Sequence, residues 1–132
     1  MGSRDLALDF GEGASRAIMN EIAILVVTYN RKKLLQENIE AILKQTYGKF
    51  DYFICDNASI DGTRELVEAC MENDGRIHYD HTGANLGGAG GFSYGLKKIV
   101  KKGYQYCWMM DDDAVPEPDA LERLVKAAEL LG

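Results

Sequence analysis

Asp111, Asp112 and Asp113 stand side by side directly behind the apolar run "YQYCWMM". No lysine or arginine lies between Lys102 and Arg123, so the nearby chain offers these carboxylates no counter-charge. Carboxylate oxygens are hard ligands suited to Mg2+ or Mn2+, and alternate residues of an extended segment can converge on one ion. Asp111 and Asp113 have that spacing, which leaves Asp112 to face elsewhere. The bland alternative is an acidic, solvated approach to a helix. Emergence straight from the end of a strand favours the metal. His78 and His81 do not extend the set, because His78 lies within a strand and no cysteine or aspartate completes a zinc group. We read both as structural or surface residues.

A second feature is the glycine cluster in "HTGANLGGAGGF", residues 81–92. Glycines let backbone N–H groups approach an anion at a helix start, so the cluster could cradle phosphate. It lacks the Gly-Lys-Ser/Thr of a P-loop and the third glycine of the dinucleotide fingerprint. Tight turning with close helix packing explains it equally well.

These residues need elements to hold them. Ile22 to Val27 is a continuous, β-branched apolar run, as in a parallel strand covered on both faces. Asn30 is placed to cap the next helix, whose face is Leu34/Leu35, Asn38/Ile39 and Ile42/Leu43. "FDYFIC" reads as a second strand, followed by a helix with Leu66, Val67, Cys70 and Met71 on one stripe. "RIHYD" is a third strand, and Phe92, Leu96, Ile99 and Val100 mark a third helix. "YQYCWMM" is the fourth strand. Pro118 suits the first position of a last helix with face Leu121, Leu124, Val125, Ala128 and Leu131. Four strand–helix units predict a three-layer α/β/α fold around a mostly parallel sheet, with ligands at the carboxyl ends of the strands. Those ends carry Thr28-Tyr29-Asn30-Arg31, then Asp56-Asn57-Ala58-Ser59, then the glycine cluster, then the aspartates. All four should gather along one sheet edge.

The length of 132 residues allows one domain with a real core, and 46% apolar against 27% charged residues is globular. We place that domain at 21–132, behind a loose N-terminal extension at 1–20 that holds Gly2, Gly11 and Gly13 without periodicity. A net charge of −6 argues against nucleic acid as a partner. Basic residues cluster only in short pieces, Arg31-Lys32-Lys33 and Lys97, Lys98, Lys101 and Lys102, and the second reads as a solvated helix face. No apolar run approaches the ~20 residues that span a bilayer, and no leader peptide is expected. Cys55, Cys70 and Cys107 lack metal spacing and read as buried reduced thiols, which suits the cytoplasm.

Taken together, "ILVVTYNR", "FICDNASIDGT", "NLGGAGGF" and "WMMDDDA" resemble the family 2 inverting glycosyltransferases of GT-A fold, over residues 22 to about 125. The pairing of "NLGGAGGF" with a triple aspartate is similar to the galactofuranosyl- and rhamnosyl-transferase branch. The resemblance implies a nucleotide-diphosphate sugar as donor, with UDP ahead of dTDP, and a glycan or lipid-linked acceptor. It implies that Asp111 and Asp113 hold the divalent cation bridging the diphosphate, with Asp112 near the donor sugar. Asp56 would accept the uracil N3–H, Tyr29 would line the base pocket, Arg31 and Asn85 would contact the nucleotide, and Thr28 would belong to the donor-binding set. Members of the family are longer than this chain, so the expectation is a donor-binding half whose general base lies elsewhere. The last strand would then lie open at the sheet edge, where a homodimer could form. Cytoplasmic location, peripheral to a membrane, follows from the same resemblance. The rival reading is a non-catalytic nucleotide-binding or interaction module.

Overall fold

The expected alternation of strands and helices is present in the structure, a computed structural model that describes residues 6–9 and 20–131. In chain order the elements are β1 (Leu6–Asp9), β2 (Ile22–Thr28), α1 (Lys32–Leu43), β3 (Phe50–Asp56), α2 (Thr63–Asn73), β4 (Ile77–His81), α3 (Gly87–Lys102), β5 (Tyr106–Asp111) and α4 (Ala120–Leu131). The sheet order is β1-β5-β2-β3-β4. β2 pairs in parallel with both β3 and β5, and β3 pairs in parallel with β4. This central place explains why β2 is apolar from Ile22 to Val27: every residue of the strand is buried.

Strand alternation sends side chains to two separate cores. Ile24, Val26, Tyr52, Ile54, Trp108 and Met110 face one side, where Leu35, Ile39 and Ile42 of α1, Val67 of α2 and Leu121 of α4 pack on them. Ala23, Leu25, Val27, Phe53, Cys55 and Cys107 face the other, covered by Ile99 of α3 with Phe92 and Leu96. The sheet therefore lies between two helical layers, as a three-layer α/β/α fold requires. Cys55 and Cys107 are buried and Cys70 half-buried, all as free thiols. Burial pushes the Cys55 thiol up to about 11 and the Cys107 thiol to about 12, so neither is a ready nucleophile.

Several expectations need correction. The extension at 1–20 contains a strand, because β1 pairs antiparallel with β5 from Leu6↔Met109 to Asp9↔Tyr106. That pairing covers the outer edge of β5, which the sequence suggested would be open to a second copy. Its physical reason is the row of backbone donors and acceptors that β5 presents away from β2. The three glycines of the extension lie outside the described residues. Asn30 does not cap α1; Arg31 occupies that position without a side-chain cap. Instead the Lys32 N–H donates to Asp61 Oδ2 at 3.0 Å, so the cap comes from the loop after β3. Asn30 adopts a φ of 50° and joins the same loop, its N–H donating to Ser59 Oγ and its Oδ1 accepting from the Ile60 N–H, each at 2.8 Å. Leu34, Val100 and Leu124 point outward despite their apolar spacing. α4 begins two residues beyond Pro118.

Polar groups on α1 and just beyond its end secure the segment that follows β5. Asn38 is fully buried and donates through Nδ2 to the Ala114 carbonyl at 2.8 Å, while its Oδ1 accepts from the Tyr52 hydroxyl. Gln45 donates to the Glu117 carbonyl at 2.7 Å and accepts from the Leu121 N–H at 3.0 Å, capping α4 from outside. Buried polar groups satisfied in this way fix one geometry, since leaving them unpaired would be costly. The chain on either side of the aspartates is thereby fixed: β5 before them, the α1 contacts after.

Candidate nucleotide and cation site

A cleft of about 730 Å³ opens at the carboxyl ends of β2, β3 and β5, within the size range of small-molecule sites. Val27, Thr28, Tyr29 and Arg31 form one wall, Asn57 and Asn85 with the start of α3 another, and Met109 with Asp111, Asp112 and Asp113 the third. The structure thus brings together Thr28, Tyr29, Arg31, Asn85 and all three aspartates, as the sequence suggested. Asp56 is the exception.

Asp56 is fully buried beside the cleft and does not line it. Its Oδ1 accepts from the Ser59 N–H at 2.9 Å and its Oδ2 from the Tyr79 hydroxyl at 2.5 Å. The neighbour Asn57 reaches the cleft instead. Strand period gives the reason: Asp56 shares its phase with Tyr52 and Ile54, which face α1 and α2, whereas Asn57 follows Cys55 towards α3. That two-residue phase was already present in "FDYFICDN" and would have identified Asn57. Val27, Met109 and Phe92, expected only as core positions of their strands and helix, are further wall residues of the cleft.

The glycine cluster divides between its two explanations. At Gly91 an added Cβ would lie 2.5 Å from Val27 Cγ1 and 2.9 Å from Asn57 Nδ2, and at Gly95 it would lie 2.7 Å from Leu25 Cδ1. Those two glycines let α3 lie close against β2. Gly87 and Gly88 have nothing near a Cβ and line the cleft, with Gly87 at a φ of 77°. Asn85 Oδ1 accepts from the Gly87 N–H at 2.9 Å, and Asn57 Nδ2 donates to the Gly87 carbonyl at 2.9 Å. So the front of the cluster is available to a ligand and the back is packing. Gly91→Ala is expected to cost about 1–3 kcal/mol of unfolding free energy in urea, because the helix must lift off a β-branched residue.

Electrostatics in the cleft turn on Arg31. Its Nη1 lies 3.2 Å from Asp112 Oδ1 and its Nη2 lies 3.5 Å from Asp113 Oδ2. The counter-charge missing from the local sequence comes from a residue some eighty positions earlier. Asp112 is the buried member, and its Oδ2 accepts from the Thr28 hydroxyl at 2.9 Å. Burial raises its pKa; the Thr28 hydrogen bond and the Arg31 charge oppose that, and the charges of Asp113 and Asp111 add to it. Asp111 and Asp113 are half-buried on the cleft wall. Among the described residues no three His, Cys, Asp or Glu side chains form a ready-made metal cage. The donor set still suits Mg2+ or Mn2+, which bind through one or two carboxylates and take the rest of their shell from substrate phosphates and water. The histidines lie apart from the cleft: His78 stacks on Phe53 at 4.6 Å, and His81 Nδ1 accepts from the Gly83 N–H at 3.1 Å.

Known proteins share this fold and part of this sequence. The galactofuranosyltransferase GlfT1 of Mycolicibacterium smegmatis is 32% identical over 95 residues, 72% of this chain and 30% of that protein. A mannosyltransferase, PcManGT from Pyrobaculum calidifontis, solved in complex with GDP-Man and Mn2+, superposes with a TM-score of 0.70 at 25% identity, covering 83% of this chain and 32% of that one. S. aureus TarS in complex with UDP gives a TM-score of 0.71 at 25% identity, covering 80% and 31%. The chain spans 15–39% of the length of the curated relatives compared with it. Residues 23–131 match the description "Glycosyl transferase family 2". With that match across the sheet, the glycine turn and the aspartates, the chain belongs to glycosyl transferase family 2.

Proposed function

We propose that this chain binds the donor of an inverting glycosyl transfer, a nucleotide-diphosphate sugar held through Mg2+ or Mn2+. The observation that carries the reading is the convergence of three aspartates, Arg31 and an accessible glycine turn on one cleft. Asp111 and Asp113 would hold the cation, which when bound would neutralise charge on the departing diphosphate. Gly88, in the first turn of α3, offers its backbone N–H to phosphate, while the Gly87 N–H is taken by Asn85. Tyr29, 42% exposed at the cleft mouth, is a surface for the base. Asn57 and Asn85 are placed to contact the nucleotide, and Asp56 would support the base pocket from behind through Ser59. UDP is the preferred nucleotide by likeness to the TarS complex, and a galactofuranosyl donor by likeness to GlfT1.

Asp111, Asp112 and Asp113 are the carboxylates on the cleft wall among the described residues. Assigning them to cation and donor leaves the general base, and the glycan or lipid-linked acceptor, to groups outside this cleft. Among the described residues no helix is long and apolar enough to cross a membrane. Free thiols and a nucleotide-sugar donor suit a cytoplasmic setting. Calorimetry with UDP and with GDP, each with and without Mn2+, tests the proposal. UDP binding that requires Mn2+ is expected. Binding that ignores the metal, or no binding, would turn the reading towards a non-catalytic interaction module.

A further inference from the structure

We infer that Arg31 is a resident counter-ion that competes with the divalent cation for the aspartates and yields most readily when a diphosphate offers its guanidinium another anion. The inference rests on the donor-and-cation reading of the cleft and adds an order of preference among its charges.

The geometry has a fixed part and a movable part. Asp112 is buried with Oδ2 held by Thr28 and Oδ1 facing Arg31. Asp113 is more open, and its Oδ2 is the atom that the other arm of the guanidinium approaches. Asp113 is therefore the carboxylate that both Arg31 and a cation would claim. The backbone of Arg31 cannot drift: its carbonyl accepts from the Leu35 N–H at 2.9 Å, Lys32 is capped by Asp61, and Asn30 is tied to Ser59 and Ile60. Its side chain is 46% exposed, so the guanidinium can swing on that fixed base.

A guanidinium pairs equally well with carboxylate or phosphate, but it has no lone pair for a metal and repels one. In the free protein it offsets part of the charge on Asp112 and Asp113, which lessens the repulsion among the three adjacent carboxylates. A cation settling on Asp113 must displace it. Once displaced, its best partner would be the diphosphate of a bound nucleotide. Cation and nucleotide then favour each other, and linkage makes that preference reciprocal.

The test measures Mn2+ binding to the 132-residue chain by electron paramagnetic resonance of the free ion, alone and with saturating UDP. Arg31→Gln is expected to tighten binding of Mn2+ alone and to reduce the mutual tightening of Mn2+ and UDP, each by about tenfold. Arg31→Lys keeps the charge and is expected to leave affinity for Mn2+ alone near that of the parent chain. Circular dichroism establishes that each variant is folded. A folded Arg31→Gln chain with unchanged or weaker affinity for Mn2+ alone overturns the inference, as does a lysine variant that binds Mn2+ as tightly as the glutamine one. Failure of the parent chain to bind UDP with Mn2+ overturns the donor reading instead, and the arm with Mn2+ alone still decides the role of Arg31.

Discussion

Replacing Asp111 and Asp113 together by alanine is expected to weaken Mn2+-dependent UDP binding by more than about 100-fold, since groups merely supporting metal ligands already account for about 10–100-fold. The same double variant should keep its fold. Its two side chains lie on the cleft wall rather than in either core, and Asp113 pairs with a half-exposed arginine. Exposed ion pairs contribute about 0–1 kcal/mol, and removing two charges also relieves the repulsion felt by Asp112. Stability in urea should therefore stay within about 1 kcal/mol of the parent chain while binding is lost. Loss of stability in step with binding would mean that the aspartates are structural. The separation of the two measurements is what identifies a ligand site.

Trp108→Ala should do the reverse, removing the fold and the site with it. Trp108 is 2% exposed in the middle of β5, beside Ile24 of β2 in the larger core. Truncating a buried tryptophan costs about 3–5 kcal/mol, combining lost transfer free energy with the cavity left behind. Against a total stability of about 5–15 kcal/mol, that is a large fraction. The expected result is a markedly lower urea midpoint, with UDP binding reduced in proportion to the unfolded population. A midpoint unchanged by this substitution would show that β5 is not packed as described. The same strand carries the aspartates, so Trp108 and Asp111 sit three residues apart with opposite duties.

The contrast between those two residues marks what a linear sequence can express. Apolar periodicity determined the elements. The unbroken run from Ile22 to Val27 meant a strand buried on both faces, and the spacings from Leu35 to Ile42 and from Phe92 to Ile99 meant helices, because burial on a face imposes a period. The motifs at the strand ends determined that a site should exist and roughly where. A short strand such as Leu6–Asp9 was not legible, since four residues without alternation carry no period and gain their stability from the edge they join. Nor was Asn30's failure to cap legible, because the competing cap, Asp61, lies thirty positions away.

Within the site, the sequence determined which groups are present and the tertiary structure decided what each one faces. Three aspartates without a local cation looked like an appeal to metal alone. Packing of α1 against β5 supplied Arg31 as well, and it buried Asp112 against Thr28 while leaving Asp113 accessible. Asp56 and Asn57 are adjacent in the chain, yet pleating turned one into the interior and the other into the cleft. Charge, size and hydrogen-bonding capacity are properties of a residue and can be read in order along the chain. Distance between residues far apart in that order is a property of the fold, and in this cleft distance decides which carboxylate meets Arg31.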